Sequence, residues 1–157
     1  MEMIEKTEGR LIASGLKIAV LAARFNQFVT ERLLQGALEV FAQHGGDPAD
    51  TRVVRVPGAF EMPLVAQKLA ASGNYHALVA LAAVVRGETP HFEYVSSVAA
   101  QGLSRVSLET GVPVGFGVLT TDTIEQAIDR AGAKAGNKGA EAMRTAIEMA
   151  NLLKTLE

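Results

Sequence analysis

Four short apolar runs, each followed by a segment of helical period, leave this chain little choice of architecture. The runs are LKIAVLAA (16–23), TRVVRV (51–56), ALVALAAVV (77–85) and VPVGFGVL (112–119). Their near-continuous hydrophobicity is what strands covered on both faces need, since a sheet wetted on one side alternates polar and apolar residues. The segment 27–44 carries apolar residues at 29, 33, 34, 37, 38, 40 and 41 and stops at Gly45-Gly46, where glycine can take the left-handed turn that ends a helix. A second helix starts near Phe60, tolerates Pro63 in its first turn and closes at Gly73. A third runs from His91 to Thr110 and stops at Gly111, and the stretches 123–131 and 141–153 read as two more, joined by the glycine-broken segment GAKAGNKGA. Alternating elements with right-handed crossovers give an α/β three-layer sandwich around a four-stranded parallel sheet, and a flavodoxin-like strand order is expected. We read residues 1–157 as one domain, with 1–12 an extended arm that either frays or pairs with something else.

Composition narrows the function classes. Fifteen basic residues nearly balance 17 acidic ones, and no block of like charge exceeds two or three residues, so neither a nucleic acid nor a membrane surface is an expected partner. No window approaches the roughly 18 uninterrupted apolar residues of a membrane helix, and the first six residues are not a signal peptide, so a cytoplasmic location is expected. The absence of cysteine excludes disulfides, thiolate metal sites and thiol nucleophiles, and His44, His76 and His91 are too dispersed for a histidine-only metal site. Chemistry must run on His, Arg, Lys, Glu, hydroxyls and backbone. A hydrophobic content of 48% with a mean hydropathy of +0.19 is unusual for a small monomer and points to partners of the same kind.

In open α/β sheets ligands bind beyond the carboxyl ends of the strands. After the first strand, Asn26 is placed to cap a helix and Phe25 is a large aromatic in a turn. As a hydrophobic staple Phe25 would have Thr30 for a partner, a poor one, so stacking on a planar ligand is the better reading. After the second, Pro57-Gly58 forces a turn that presents Phe60 and Glu61, the latter open to being only a dipole complement. After the third come Arg86, Gly87, Glu88, Thr89, Pro90 and His91. His91 reads either as a solvated helix-start residue or as a proton shuttle, and Gly87 with Thr89 offers N–H groups and a hydroxyl to an anion. Phe116 lies within the fourth strand. Beyond it Arg130, Lys134 and Lys138 recur every four residues. The two lysines read first as a solvated face and a complement to a helix C-terminal dipole, whereas the Arg130 guanidinium suits a phosphate clamp.

The segments ARFN (23–26), VPGAFEMP (56–63), VVRGETPHFEYV (84–95), GFGVLTTDTIEQAIDRAG (115–132) and AGNKGAEA (135–142) resemble, in order and spacing, the lumazine synthase family. The resemblance implies condensation of 5-amino-6-(D-ribitylamino)uracil with 3,4-dihydroxy-2-butanone 4-phosphate to 6,7-dimethyl-8-ribityllumazine, with release of phosphate and water, the penultimate step of riboflavin biosynthesis, without cofactor or metal. It implies that Phe25 stacks on the pyrimidine, that Ala59, Phe60 and Glu61 meet the ribityl chain and ring, and that backbone groups of Ala83, Val84 and Val85 pair with the pyrimidine edge. It makes His91 the proton donor and acceptor, places Glu88 and Thr89 on the phosphate side, gives the phosphate itself to Arg130, and adds Phe116 and Lys138 to the site. It further implies a homo-oligomer built from pentamers, in which the N-terminal segment joins a neighbour's sheet and Phe116, Arg130 and Lys138 complete the adjacent subunit's site. The short G-N-K-G linker is similar to that of members that close sixty subunits into an icosahedral capsid, and riboflavin synthase is a further partner the family admits.

Two other readings stand beside this one. A flavin carrier or a non-catalytic relative that retains lumazine or riboflavin is disfavoured because ARFNQF is no hydroxyl-rich phosphate loop and both His91 and Arg130 are present. A purely structural shell protein would assemble without forming product.

Overall fold

A computed structural model of the chain describes residues 2–157. The elements follow in the order β1 (Ile18–Ala23), α1 (Gln27–Gln43), β2 (Thr51–Val56), α2 (Met62–Ala71), β3 (Ala77–Val85), α3 (His91–Thr110), β4 (Val114–Thr121), α4 (Ile124–Asp129), β5 (Ala131–Ala133), β6 (Gly136–Asn137) and α5 (Lys138–Thr155). The main sheet is parallel and ordered β2-β1-β3-β4, the first four positions of a flavodoxin-like sheet. The expected α/β three-layer sandwich is thus the architecture found.

Residue parity in the central strands divides the interior in two. Ile18, Val20, Val79, Leu81 and Ala83 face α1 and α5, packing with Leu33, Phe41, Met143 and Ile147. Ala19, Leu21, Leu78, Ala80 and Ala82 face α2 and α3, packing with Met62, Ala66, Ala99 and Leu103. Each fully buried Leu, Ile or Met side chain stabilises the fold by roughly 2 kcal/mol relative to exposure. The ion pairs among the described residues are all solvent-accessible and contribute far less, so the two apolar layers hold the sheet.

Small residues set the depth of the α5 layer. A Cβ on Gly139 would fall 2.0 Å from the Leu33 carbonyl oxygen, and one on Gly115 would fall 2.2 Å from that of Ala142. The helix can therefore press its backbone onto α1 and β4 only where side chains are missing.

Several boundaries differ from expectation. β1 begins two residues later than read, because Leu16 is buried but belongs to a turn in which its N–H donates to Ala13, with Gly15 at φ 78°. β4 is displaced the same way and gains Thr120 and Thr121, polar residues kept in the ladder by pairing with Val84 and Val85. The glycine-broken segment after α4 contains a small antiparallel hairpin, β5 with β6, which has too few residues to show any period. α5 starts at Lys138 rather than 141, since Asn137 caps it by accepting from the Ala140 N–H at 3.0 Å.

The N-terminal segment forms no strand among the described residues. Asn151 on α5 donates to the carbonyls of Arg10 and Ile12 at 2.6 and 2.9 Å, which ties that stretch to its own chain. Met3 and Ile4 are 97% and 83% exposed. Met1 lies outside the described residues.

Candidate active site

The carboxyl ends of β1, β2 and β3 gather one group of the expected residues. Arg24 and Phe25 donate their N–H groups to Val56 and Pro57 at 2.8 and 3.0 Å, so the turn after β1 is stitched to the turn after β2. Gly58 is the floor between them. A Cβ there would meet the Phe25 ring at 2.9 Å and the Glu61 carboxylate at 3.4 Å. Phe25 is 69% exposed, Phe60 and Glu61 also face solvent, and Ala59 is buried beneath them in a short 3-10 turn (Ala59–Glu61). An aromatic face and a carboxylate thus stand side by side at the surface, as stacking on a planar, hydroxylated ligand requires.

Asn26 departs from its expected role. It precedes α1 but makes no side-chain cap; it sits in the left-handed region at φ 56° and its Nδ2 donates to the Ala83 carbonyl at 2.7 Å. Asparagine tolerates that conformation better than most residues. Its effect is to fix the Phe25 turn to the end of β3. Thr30, the poor staple partner, is buried and donates its hydroxyl to the Ala23 carbonyl at 2.9 Å, which leaves the Phe25 ring free.

The end of β3 is open on one side. Its ladder with β1 stops at Leu81, whereas its ladder with β4 runs on to Val85. The stretch Ala83, Val84 and Val85 therefore projects past β1 with one backbone edge unpaired by a strand, and of that edge the Ala83 carbonyl already accepts from Asn26.

The turn from β3 into α3 carries Glu88, Thr89 and His91, all exposed. Arg86 anchors it. The Arg86 N–H donates to the Thr121 carbonyl at 2.8 Å, its Nε to Asp122 at 2.8 Å, and its Nη1 to Glu93. The guanidinium also lies 4.4 Å from the centroid of the Phe92 ring. The hydrogen bonds it donates to Asp122 and Glu93 raise the Arg86 pKa, and Arg86 in turn holds the Glu93 carboxyl below its ordinary range.

Phe116, Arg130 and Lys138 form a separate group. They line a groove of about 200 Å³ along the free edge of β4 together with Gly117 and Thr120. Gly115 and Gly117 face α5 and Phe116, between them, points to the opposite face, half exposed. Arg130 ends α4 and donates Nη1 to the Gln126 carbonyl at 3.0 Å. Lys138 is the first residue of α5, the end of a helix where a cation is disfavoured, so it is no dipole complement; it pairs with Glu141 at 2.9 Å. Phe116 pairs with Ala80 and lies five ladder positions before Thr121, roughly 16 Å below the carboxyl end of the sheet. One chain therefore brings Phe25, Glu61 and the open β3 edge together, and does not bring Phe116 to them.

Among the described residues no group of three His, Asp or Glu is placed to hold a metal ion, and no helix is long and apolar enough to cross a membrane. Arg86, Asp122 and Gln126 are the participants to which sequence reasoning gave no role. An arginine directly after the third strand was the signal that could have exposed the first of them.

Residues 15–154 match the family model described as 6,7-dimethyl-8-ribityllumazine synthase. The chain belongs to that family. A protein of Syntrophus aciditrophicus (strain SB) named 6,7-dimethyl-8-ribityllumazine synthase is 59% identical over 150 residues, 96% of this chain and 97% of its own. A second of that name, from Nitratidesulfovibrio vulgaris (strain DSM 19637 / Miyazaki F), is 55% identical over 153 residues, 98% of each chain.

Proposed function

We propose that this chain condenses 5-amino-6-(D-ribitylamino)uracil with 3,4-dihydroxy-2-butanone 4-phosphate to 6,7-dimethyl-8-ribityllumazine, phosphate and water. The observation that carries the reading is the meeting of Phe25, Glu61 and the unpaired edge of β3 at one corner of the sheet in a chain of this family. The ring of Phe25 stacks on the pyrimidine, Glu61 with Phe60 and Ala59 receives the ribityl chain, and backbone groups of Ala83, Val84 and Val85 read the pyrimidine edge.

The chemistry then proceeds from positioning. The amine attacks the ketone and imine formation releases one water; phosphate is eliminated; the second amine closes the ring and releases another water. No step requires a covalent bond to the protein. His91 takes and returns the protons, Glu88 and Thr89 border the phosphate, and Arg130 with Lys138 neutralises it as it leaves.

Because one chain keeps Phe116, Arg130 and Lys138 at the β4 edge, the complete site takes these three from an adjacent copy. That reading joins the surplus of apolar surface to a ring of five subunits, and the short G-N-K-G connection to a closed shell of such rings in the cytoplasm. Purified protein mixed with both substrates should form fluorescent lumazine and release phosphate together, and a native mass measured by light scattering should be a multiple of five chains. Lumazine no faster than in the protein-free mixture would refute the enzyme reading, and a monomeric mass would refute the shared site.

A further inference from the structure

We infer that Arg86 is a positioning residue for the reaction, acting through Asp122 and Glu93 to hold the turn that carries Glu88, Thr89 and His91. The inference rests on the proposed function for its substrates and on geometry alone for the brace. Arg86 is the first residue past β3, and its N–H continues the β3–β4 ladder onto Thr121. Its side chain then bridges the far end of that turn, at Glu93 in the first turn of α3, to Asp122 just past the neighbouring strand β4. Phe92 beneath the guanidinium fixes its plane by a cation–π contact.

The far anchor is itself held. The Asp122 N–H donates to the Gln126 side chain at 2.9 Å, and the Gln126 carbonyl accepts from the Arg130 guanidinium at 3.0 Å. The turn bearing His91 and the helix bearing Arg130 are therefore linked by one run of hydrogen bonds through Arg86, Asp122 and Gln126. Residues 87–90 have no strand or helix of their own, and nothing lies within 4 Å of where a Gly87 Cβ would sit, so among the described residues no other side chain of comparable reach fixes their path.

Magnitude separates this role from a structural one. Exposed ion pairs add little to global stability, because solvent screens them and the side chains lose entropy in making them. Arg86 is nearly half exposed, so its removal should leave the melting temperature close to unchanged. Misplacing a reacting group by an ångström, by contrast, costs a rate on the order of tenfold to a hundredfold.

The test compares wild type with Arg86→Ala, Arg86→Lys, Glu93→Gln and Asp122→Asn in the intact assembly. Arg86→Ala should raise KM for the phosphorylated ketone and lower kcat, each by roughly tenfold, while KM for the ribitylaminouracil changes by less than about twofold. Arg86→Lys should fall between, since an ammonium reaches one carboxylate and not both. Asp122→Asn and Glu93→Gln should each reproduce part of the loss, and Arg86→Ala with Asp122→Asn should cost less than the two singly combined. Amide exchange over 87–91 should quicken in Arg86→Ala, with 96–110 unchanged. Wild-type kinetic constants in Arg86→Ala, or an equal rise in both KM values with a lowered melting temperature, would overturn the role. If wild type forms no lumazine, the activity reading fails alone, and unchanged exchange over 87–91 then overturns the brace. Should Arg86→Ala not fold, Arg86→Lys and Asp122→Asn carry the same comparisons.

Discussion

The Lys138 N–H donates to the Arg130 carbonyl at 2.8 Å, so the hairpin between α4 and α5 closes on itself and sets two cationic residues at the wall of one groove. The bond is made by backbone, and either side chain can be exchanged without opening the hairpin.

Arg130→Ala should therefore fold and assemble as wild type does while losing on the order of a hundredfold or more in kcat, the effect expected when a charge-stabilising donor is removed. Arg130→Lys should recover part of that loss, because it restores the charge without the fork. Parallel phosphate-release and lumazine assays check both; an Arg130→Ala protein near wild-type rate would exclude the phosphate role.

Phe25→Leu should raise KM for the ribitylaminouracil by about tenfold at most, since aromatic stacking is worth roughly 1 kcal/mol beyond its area. With the ring 69% exposed, the melting temperature should not move. His91→Asn should lower the rate by a similarly moderate factor, because a proton can still reach solvent. Steady-state kinetics with each substrate varied in turn separates the two variants.

Gly139→Ala should destabilise the fold by at least about 2 kcal/mol, since the added methyl would meet backbone rather than a movable side chain. Gly87→Ala, with nothing within 4 Å of its Cβ position, is the control for stability. Urea denaturation of the two variants beside wild type gives the comparison.

His76 should make stability fall in mild acid. Burial first, then Lys154 and Lys17, lowers its pKa below the ordinary 6.5, with Asp50 opposing. Its Nδ1 accepts the Lys17 N–H at 2.8 Å, a bond available only while that nitrogen is unprotonated. The unfolded chain therefore binds the proton first as pH drops. The contribution is full above 6.5 and is lost as pH falls from there through the lower folded value. Urea midpoints between about pH 7 and pH 5 should decline less steeply in His76→Gln than in wild type; equal slopes would remove His76 as the cause.

The parallel sheet was readable because buried strands have to be apolar along their whole length, and Ala77–Val85 shows nine such residues in a row. Helix ends were readable where glycine takes a left-handed turn, as at Gly111 with φ 73°. The β5–β6 hairpin was not, because strands of two or three residues carry no period. Asn26 misled for a physical reason: the same short amide that caps helices can bridge to a distant carbonyl, and only the fold brings Ala83 within reach. Phe25, Glu61 and His91 could be chosen from their places after strands. Their distance from Phe116 could not, because strand order and register decide it.

The triplet Gly115-Phe116-Gly117 has a further consequence for how the chain finds its shape. A slip of β4 by one residue against β3 would turn a phenyl ring toward the Ala142 carbonyl, into a gap where even a methyl does not fit. A misregistered strand cannot then be covered by α5. The edge strand proofreads its own pairing, and the Phe116 ring stands half exposed only when the sheet behind it has closed correctly.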